Sequence, residues 1–269
     1  MFGLFKAKPV LSAEDTEFQV ATYQWLLRNF GGKDFYDDAK LILPTKEYFP
    51  SRVSCEDEAA AETFNIVKKF AGMEEWPCRL EKQEEDVDYR VAPALGVQGA
   101  PHTPLGTFQA NENNEVVITY NPGIVGNPTQ LVAMFAHELA HYLTGGCKEA
   151  PPGGWDNWEF ATDIAATFLG FGLFMTNSAF IFQQFTEVGA QGWQSNKNGY
   201  LSEAEHVFAL AIFLQLKGIP VETALRFIKP ALKKLLKDAV RQVESTKIIE
   251  ELQAVQYLPQ ANDESEVAS

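Results

Sequence analysis

The sequence is organised around an apolar stretch that carries two histidines and a carboxylate, Ala133-Met134-Phe135-Ala136-His137-Glu138-Leu139-Ala140-His141-Tyr142-Leu143. Residues four apart lie on one face of an α-helix, so His137 and His141 can present their imidazoles to a single Zn²⁺. In this H-E-x-x-H arrangement, Glu138 points at whatever occupies the open position of the metal. The apolar residues around them would seat the helix in a core and hold the ligands stiffly. The spacing therefore predicts a buried helix with two metal ligands and a general base.

A third metal ligand is predicted on the next helical stretch, after a loop rich in glycine and proline. That stretch begins Trp158-Glu159-Phe160-Ala161-Thr162-Asp163. Glu159 supplies a carboxylate ligand, and Asp163, one turn later on the same face, can accept the free N–H of a zinc-bound histidine. Two histidines, one glutamate and an open fourth position are typical of a catalytic zinc site and not of a structural one. We therefore expect one Zn²⁺ per chain, bound by His137, His141 and Glu159.

Two alternatives concern these same residues. Matches to H-E-x-x-H arise by chance, and the two histidines would then be ordinary core or surface residues. The downstream Glu159 and Asp163 argue against that interpretation. Cys147, in the loop after the motif, is a further candidate zinc ligand, and the simpler interpretation of it is an ordinary loop thiol.

The composition indicates a folded protein that does not bind nucleic acid. The chain has 269 residues, of which 46% are hydrophobic and 12% aromatic, which is enough to build a core. Its 22 Lys and Arg against 36 Asp and Glu give a formal net charge of −14. A surface of this charge repels phosphate backbones. The lysine-rich run from Lys229 to Lys237 is interpreted as the solvated face of an amphipathic helix.

A cytoplasmic location is predicted from the cysteines and the first residues. Cys55, Cys78 and Cys147 are odd in number and lack C-x-x-C spacing, as expected for free thiols in a reducing compartment. The first residues have neither the apolar length nor the cleavage site of a secretory signal. Residues 164–182 are apolar enough to raise the question of a membrane span, but hydroxyl and amide side chains interrupt them and no basic cluster flanks them. We therefore predict a buried core helix there and no membrane association.

The remaining pattern predicts an α+β fold that is mostly helical, with a small β-sheet ahead of the H-E-x-x-H helix. The strongest strand is residues 115–120, which are rich in β-branched and aromatic side chains, and a weaker one is residues 89–91. The strong strand is either interior or the sheet edge that receives an extended peptide. Before and after the predicted sheet in the sequence, N-cap and capping-box patterns indicate helices. Helices are predicted from Ser12 to Gly31, from Ser54 to Ala71, from Ser202 to Gly218 and, in one or two pieces broken near Pro230, from Val221 to Gln256.

The two halves of the motif resemble those of the zincin metallopeptidases, specifically the gluzincin branch. That branch pairs H-E-x-x-H with E-x-x-x-D or a similar element on a following helix, which here read His137-Glu138-Leu139-Ala140-His141 and Glu159-Phe160-Ala161-Thr162-Asp163. The second helix also resembles that of small intracellular zincins that cleave bacterial repressors, and that of membrane-embedded zincins. The metzincin branch would need glycine at position 144 and histidine at position 147, where this chain has Thr144 and Cys147. The resemblance covers residues 115–174, so it does not identify a substrate.

The resemblance implies a zinc-dependent metallopeptidase, a hydrolase that cleaves peptide bonds with a metal-activated water. Glu138 would be the general base and would later deliver the proton to the leaving amine, while Asp163 would fix the tautomer of a histidine ligand. Peptidases of this branch often add a histidine or tyrosine that stabilises the oxyanion. His206 and Tyr200 are the candidates downstream, and Tyr142 is a third beside the motif.

The chain is predicted to divide into three parts. Residues 1–75 would be a helical N-terminal segment packed on the core, residues 76–258 a zincin-like catalytic domain with C-terminal helices, and residues 259–269 a disordered acidic tail. His102, in a loop rich in glycine and proline, is interpreted as an exposed loop histidine.

Two other functions are compatible with the sequence. One is a non-catalytic, metal-binding regulatory protein with the zincin fold, although metal binding alone would not require Glu138. The other is a membrane-embedded peptidase, which depends on residues 164–182 spanning a membrane. The predicted partner is a peptide or protein substrate, with no nucleic acid and no membrane, and the oligomeric state is left open.

Overall fold

Helices make up most of the computed structural model, which describes residues 9–50, 55–84, 105–110, 115–186 and 200–258. In these ranges the helices are α1 (Ala13–Phe30), α2 (Glu56–Phe70), α3 (Pro128–Gly145), α4 (Trp158–Ala166), α5 (Gly172–Thr186), α6 (Glu203–Leu216), α7 (Val221–Leu225), α8 (Lys233–Glu244) and α9 (Ile248–Gln253). The strands described are β1 (Arg79–Lys82), β2 (Gly106–Ala110) and β3 (Val116–Tyr120), which form one small sheet. The fold is α+β and mostly helical, with the sheet ahead of α3, as the sequence predicts. The predicted strand at residues 89–91, His102 and the tail at residues 259–269 lie outside the described residues.

The helix starts predicted from capping patterns are confirmed at α1 and α6. The Ser12 side chain accepts the backbone N–H of Asp15 at 3.1 Å, which satisfies one N–H that the first turn of α1 leaves without a partner. At α6, Ser202 and Glu205 form a capping box in which each side chain accepts the backbone N–H of the other residue. These local bonds fix where each helix begins.

β3 is the middle strand of the sheet. β1 pairs with it in parallel, and β2 pairs with it in antiparallel orientation. The strand predicted at residues 115–120 is confirmed as an interior strand, and its interpretation as a substrate-receiving edge is wrong because both of its sides are paired. The sequence does not predict β1 or β2 individually, because these short strands lack the run of β-branched residues that marks β3.

β2 lies close against α3 because of Gly106. A Cβ atom at this position would come within 2.4 Å of the Met134 sulfur and 2.9 Å of the Thr119 carbonyl oxygen, so glycine permits this approach. Phe108, two residues further on, therefore reaches the histidine motif on α3, with ring centroids 6.2 Å apart between Phe108 and His141. The edge of the sheet and the motif form one surface.

The apolar run at residues 164–182 is not one helix. A π-helical turn at Thr167–Phe171 separates α4 from α5, and within it Gly170 has a φ of 101°. A Cβ there would lie 2.0 Å from the Lys40 carbonyl oxygen, while the Gly170 carbonyl accepts the N–H of Ile42 at 3.0 Å. The side chains described between Ile164 and Ala179 are almost all buried, which agrees with the predicted core position. Within the described ranges, no helix combines the length and the apolarity that crossing a membrane requires.

The N-terminal and C-terminal helices enclose α3 and α4 in one hydrophobic core. α1 packs against α4, α6 and α9, and α6 packs against α5 and α8.

The break predicted near Pro230 is present, but residues 221–256 form three helices where one or two were expected. In α8 the Lys234 and Lys237 side chains are exposed while Leu236 is buried, as expected for an amphipathic helix. The division of the chain at residue 75 stays a prediction.

Candidate metal centre

α3 positions the H-E-x-x-H residues inside the protein. It begins at Pro128 after Asn127, whose side-chain oxygen accepts the N–H of Gln130, and α2, α4, α5 and the sheet pack around it. His137, Glu138 and His141 are 2%, 6% and 7% exposed. Side chains enclosed to this degree keep one orientation, which a metal site requires.

The loop between α3 and α4 brings Glu159 opposite the two histidines. Gly153 and Gly154 both have positive φ, 78° and 88°, which L-residues with a side chain rarely adopt. After this turn, the Trp158 indole N–H donates to the Thr144 hydroxyl at 2.8 Å. The Thr144 hydroxyl in turn donates to the Ala140 carbonyl, also at 2.8 Å. The first residue of α4 is thus fastened to the last turns of α3.

The ligand atoms of His137, His141 and Glu159 form a nearly equilateral triangle. The His137 and His141 Nε2 atoms are 3.1 Å apart, and each lies 3.3 Å from Glu159 Oε2. A tetrahedral zinc ion with bonds of about 2.0–2.1 Å separates its donor atoms by about 3.3 Å. The three donors therefore fit one face of a zinc coordination tetrahedron and leave the fourth position for a water or substrate.

Among the residues described, these three are the ones that bring such ligand atoms together, all within 4.8 Å of one another. Cys147 is buried but does not belong to this group, so the alternative in which it binds the metal is not supported.

Each histidine has an outer hydrogen-bond partner on α4. His137 Nδ1 lies 3.0 Å from Asp163 Oδ1, and since a carboxylate only accepts, the nitrogen donates. His141 Nδ1 lies 3.2 Å from the Thr162 hydroxyl. Asp163 occupies the place that the sequence assigns to it, whereas Thr162 was not among the predicted residues. The signal that could have found it is its position one turn after Glu159, next to Asp163.

Asp163 also connects the metal site to the start of α6. Its second oxygen, Oδ2, accepts the backbone N–H of Leu201 at 2.9 Å, and the Nε2 atom of His206 lies 3.6 Å away from it. Tyr200, the residue before Leu201, places its ring 5.5 Å from the ring of His137. One buried carboxylate thus holds a ligand and the segment that carries Tyr200.

The three candidates for oxyanion stabilisation lie in different places. Tyr200 is beside the metal ligands, and burial together with the negative charges of Glu159 and Asp163 raises the pKa of its phenol, which keeps its proton. His206 is 1% exposed and faces Asp163, and burial lowers its pKa. The Tyr142 hydroxyl donates to the Pro77 carbonyl at 3.0 Å, away from the ligand triangle.

The electrostatics of the site favour a bound cation. Burial would lower the pKa of His137, but hydrogen bonds to Asp163 and Glu159 outweigh it and raise that pKa well above the usual value. Burial would raise the pKa of Glu159, but the neighbouring imidazoles, His137 first, hold it far below the usual range. Burial raises the pKa of Glu138 to about 7, with His137 lowering it and Glu159 raising it. The ligands therefore hold a proton where a metal ion would place its positive charge.

Aromatic side chains continue from the metal site to the protein surface on both sides. We call the aromatic row the sequence of rings Trp76, Tyr142, Phe108, His141, Trp158 and Trp155, whose successive centroids are 4.9, 5.8, 6.2, 4.7 and 5.6 Å apart. Trp155, at one end, is 48% exposed. The row could not be seen in the sequence because its members come from four separate segments of the chain.

This arrangement can hold one divalent metal ion at two buried histidines and the half-buried Glu159, and it supplies a carboxyl group, that of Glu138, that changes charge near neutral pH. No family model, no curated protein and no solved structure matches the chain. The geometry and chemistry of the site are therefore the basis on which a function is proposed.

Proposed function

We propose that the protein is a zinc-dependent metallopeptidase of the zincin type, in its gluzincin branch, with a peptide or protein as substrate. The observation that carries the proposal is the triangle of ligand atoms from His137, His141 and Glu159, with sides of 3.1, 3.3 and 3.3 Å. Glu138 lies on the same helix, is buried, and is electrostatically coupled to His137 and Glu159. A site that only bound a metal would have no use for this additional carboxyl group.

Zinc is the metal that this donor set fits best. Two imidazole nitrogens and one carboxylate oxygen, with a fourth position open, are the protein ligands of many catalytic zinc sites. The contacts of the two Nδ1 atoms with Asp163 and Thr162 leave the Nε2 atoms of both histidines facing the metal position.

Glu138 would transfer the proton during cleavage, and Tyr200 would stabilise the negative charge that develops on the oxyanion. Bound zinc would supply an activated water and polarise the scissile carbonyl. Glu138 would accept the proton of the attacking water and return it to the leaving amine. Tyr200, whose phenol stays protonated beside the ligands, would donate a hydrogen bond to the oxyanion. β2, and not β3, is the strand next to the reaction, because Phe108 stacks on His141.

The test measures zinc content and peptide cleavage for the wild type, Glu138→Gln and His141→Ala. We expect the wild type to bind one zinc per chain and to cleave members of a broad peptide library. Glu138→Gln should keep the zinc and lose cleavage, and His141→Ala should lose both. Glu149→Gln, which changes an exposed carboxylate in the loop before α4, is the matched control and should behave as the wild type.

Two outcomes would contradict the proposal. A wild-type protein that binds zinc but cleaves no peptide would favour the non-catalytic regulatory protein. Unchanged zinc content in His141→Ala would show that the metal, if bound, is held elsewhere.

A further inference from the structure

Thr162 is a fully buried hydroxyl beside the metal centre, and both of its hydrogen bonds are determined by its neighbours. Its Oγ1 atom lies 2.8 Å from the Trp158 carbonyl oxygen, which can only accept, so the hydroxyl proton points there. The same Oγ1 lies 3.2 Å from His141 Nδ1. With the hydroxyl proton directed at the Trp158 carbonyl, Oγ1 accepts at this contact, and His141 carries its proton on Nδ1.

This protonation state leaves the other ring nitrogen available for the metal. With the proton on Nδ1, the lone pair of His141 Nε2 faces His137 Nε2 at 3.1 Å and Glu159 Oε2 at 3.3 Å. The opposite tautomer would place the proton on Nε2, the nitrogen that has to bind the metal, and leave Nδ1 without a donor for Thr162. A threonine that bonds the carbonyl four residues earlier is common in helices, but here the second contact of the hydroxyl is to a metal ligand.

We propose that Thr162 is a positioning residue that holds His141 in the tautomer and orientation that bind the metal. Three residues on one face of α4 then contribute to the metal site. Glu159 is a ligand, Thr162 bonds the Nδ1 atom of His141, and Asp163 bonds the Nδ1 atom of His137. The two histidines are held differently, one by a neutral hydroxyl and the other by a carboxylate. The inference rests on the metal site of the proposed function, but it does not depend on peptide cleavage.

The experiment measures the dissociation constant for zinc by competition with a chromophoric chelator. Thr162→Val keeps the shape of the side chain and removes the hydroxyl, and we expect it to weaken zinc binding by about 10–100-fold. Thr162→Ser keeps the hydroxyl and should bind zinc within a few-fold of the wild type. Thr22→Val is the matched control, because the Thr22 hydroxyl is also buried and bonds the carbonyl four residues earlier, that of Phe18. It should leave zinc affinity unchanged even if it lowers stability.

A second measurement reports on His141 directly. In the zinc-loaded wild type, NMR should show slowly exchanging Nδ1 protons on both His137 and His141, because each is buried and hydrogen-bonded. Thr162→Val should lose the slow exchange at His141 and keep it at His137. If Thr162→Val does not fold, the wild type and Thr162→Ser still decide, since fast exchange of the His141 proton in either would overturn the inference.

The outcomes separate this inference from the proposed function. Wild-type affinity in Thr162→Val, or affinity in Thr162→Ser as weak as in Thr162→Val, would overturn the role of the Thr162 hydroxyl and leave the proposed function standing. A protein that binds zinc through the Thr162-dependent site but cleaves nothing would overturn only the proposed function. A wild type that binds no zinc would overturn both.

Discussion

The buried carboxyl group of Glu138 lowers the stability of the metal-free protein at neutral and higher pH. Its side chain is 6% exposed, and burial raises its pKa from 4.5 to about 7. Between these two values the folded protein holds a proton that the unfolded chain has released. Stability therefore falls as the pH rises through this window, and the full cost is present above about pH 7.

Replacing this carboxyl group by an amide should therefore stabilise the metal-free protein, and only at higher pH. With zinc removed by a chelator, we expect Glu138→Gln to raise the free energy of unfolding at pH 8 by up to about 3 kcal/mol. At pH 5 the gain should be less than about 1 kcal/mol. Denaturant unfolding of the two proteins at both pH values measures the difference, and an equal gain at pH 5 and pH 8 would contradict the assignment.

Because of His137, zinc affinity should increase as the pH rises, whereas the Glu138 carboxyl group makes stability decrease. Hydrogen bonds to Asp163 and Glu159 overcome the effect of burial and raise the pKa of His137, so its imidazole must lose a proton before it can bind the metal. Zinc binding should release at least one proton near neutral pH and weaken by up to about tenfold for each unit by which the pH falls. Calorimetry in buffers of different ionisation enthalpy counts the protons. Binding near pH 6.5 without proton release would contradict this reasoning.

Asp163→Asn tests the carboxylate that causes this shift. The amide has nearly the same shape but no charge, and its single oxygen cannot accept from both His137 Nδ1 and the Leu201 N–H, as the two carboxylate oxygens do. Zinc affinity should fall by roughly 10–100-fold, because His137 is less well oriented. Competition with a chelator measures the affinity, and an unchanged value would show that Asp163 has no part in holding the metal ligand.

The two candidate histidine ligands could be read from the sequence because helical spacing alone places them on one face. His137 and His141 are four residues apart, and Glu159 opens the next helix. Thr162 lies one turn after Glu159, but its contact with His141 could not be inferred from that position, since a threonine inside a helix usually bonds only its own backbone. The contact with His141 depends on how α3 and α4 pack, which no local pattern encodes.

Among the elements, the π-helical turn between α4 and α5 depends most on distant residues. Gly170 has a φ of 101°, and a Cβ atom there would lie 2.0 Å from the Lys40 carbonyl oxygen. The apolar composition of residues 164–182 predicts their burial but not this break, because the break is set by the segment around Lys40 and Ile42. For the same kind of reason β2 was not predicted, since its position depends on the approach of Gly106 to Met134.

Gly170→Ala should destabilise the protein by about 1–3 kcal/mol through backbone strain, with the clash against Lys40 adding to this. Gly126→Ala is a suitable control, since Gly126 has no positive φ and a Cβ there would meet nothing within 4 Å. Denaturant unfolding measures both. A stability of Gly170→Ala equal to that of the control would contradict the strained conformation.

The aromatic row should determine which peptides bind beside the metal. Trp155 is 48% exposed at one end of the row, where it packs on Trp158 next to His141. Trp155→Ala should raise KM about 2- to 10-fold for peptides with a large apolar side chain near the cleaved bond, as expected for the loss of one aromatic contact. Zinc affinity should not change. Tyr36→Ala removes an aromatic ring of similar exposure, 39%, outside the row, and a KM increase of the same size in it would contradict this role.

At the scale of the whole molecule, the candidate metal ligands lie beside a core that the N-terminal and C-terminal helices share. The Tyr23 hydroxyl donates to the Ala209 carbonyl at 2.7 Å, which joins α1 to α6. The Trp25 indole N–H donates to the Glu149 carbonyl at 3.2 Å, which joins α1 to the loop that leads to α4. Helices that are far apart in the sequence are thus connected to the segments that carry the ligands.

Because of these connections, zinc should stabilise the whole molecule in one cooperative transition. A metal that binds the folded state and not the unfolded chain adds about 2.7 kcal/mol at a free concentration 100 times Kd and about 4.1 kcal/mol at 1,000 times Kd. We expect helix content, followed by circular dichroism, and tryptophan fluorescence to change at the same denaturant concentration, and both midpoints to rise together when zinc is added. His141→Ala should lose the increase and keep the single transition. Two separate transitions, of which zinc shifts only one, would instead show that residues 1–75 unfold as a separate unit from the part of the chain that holds the metal.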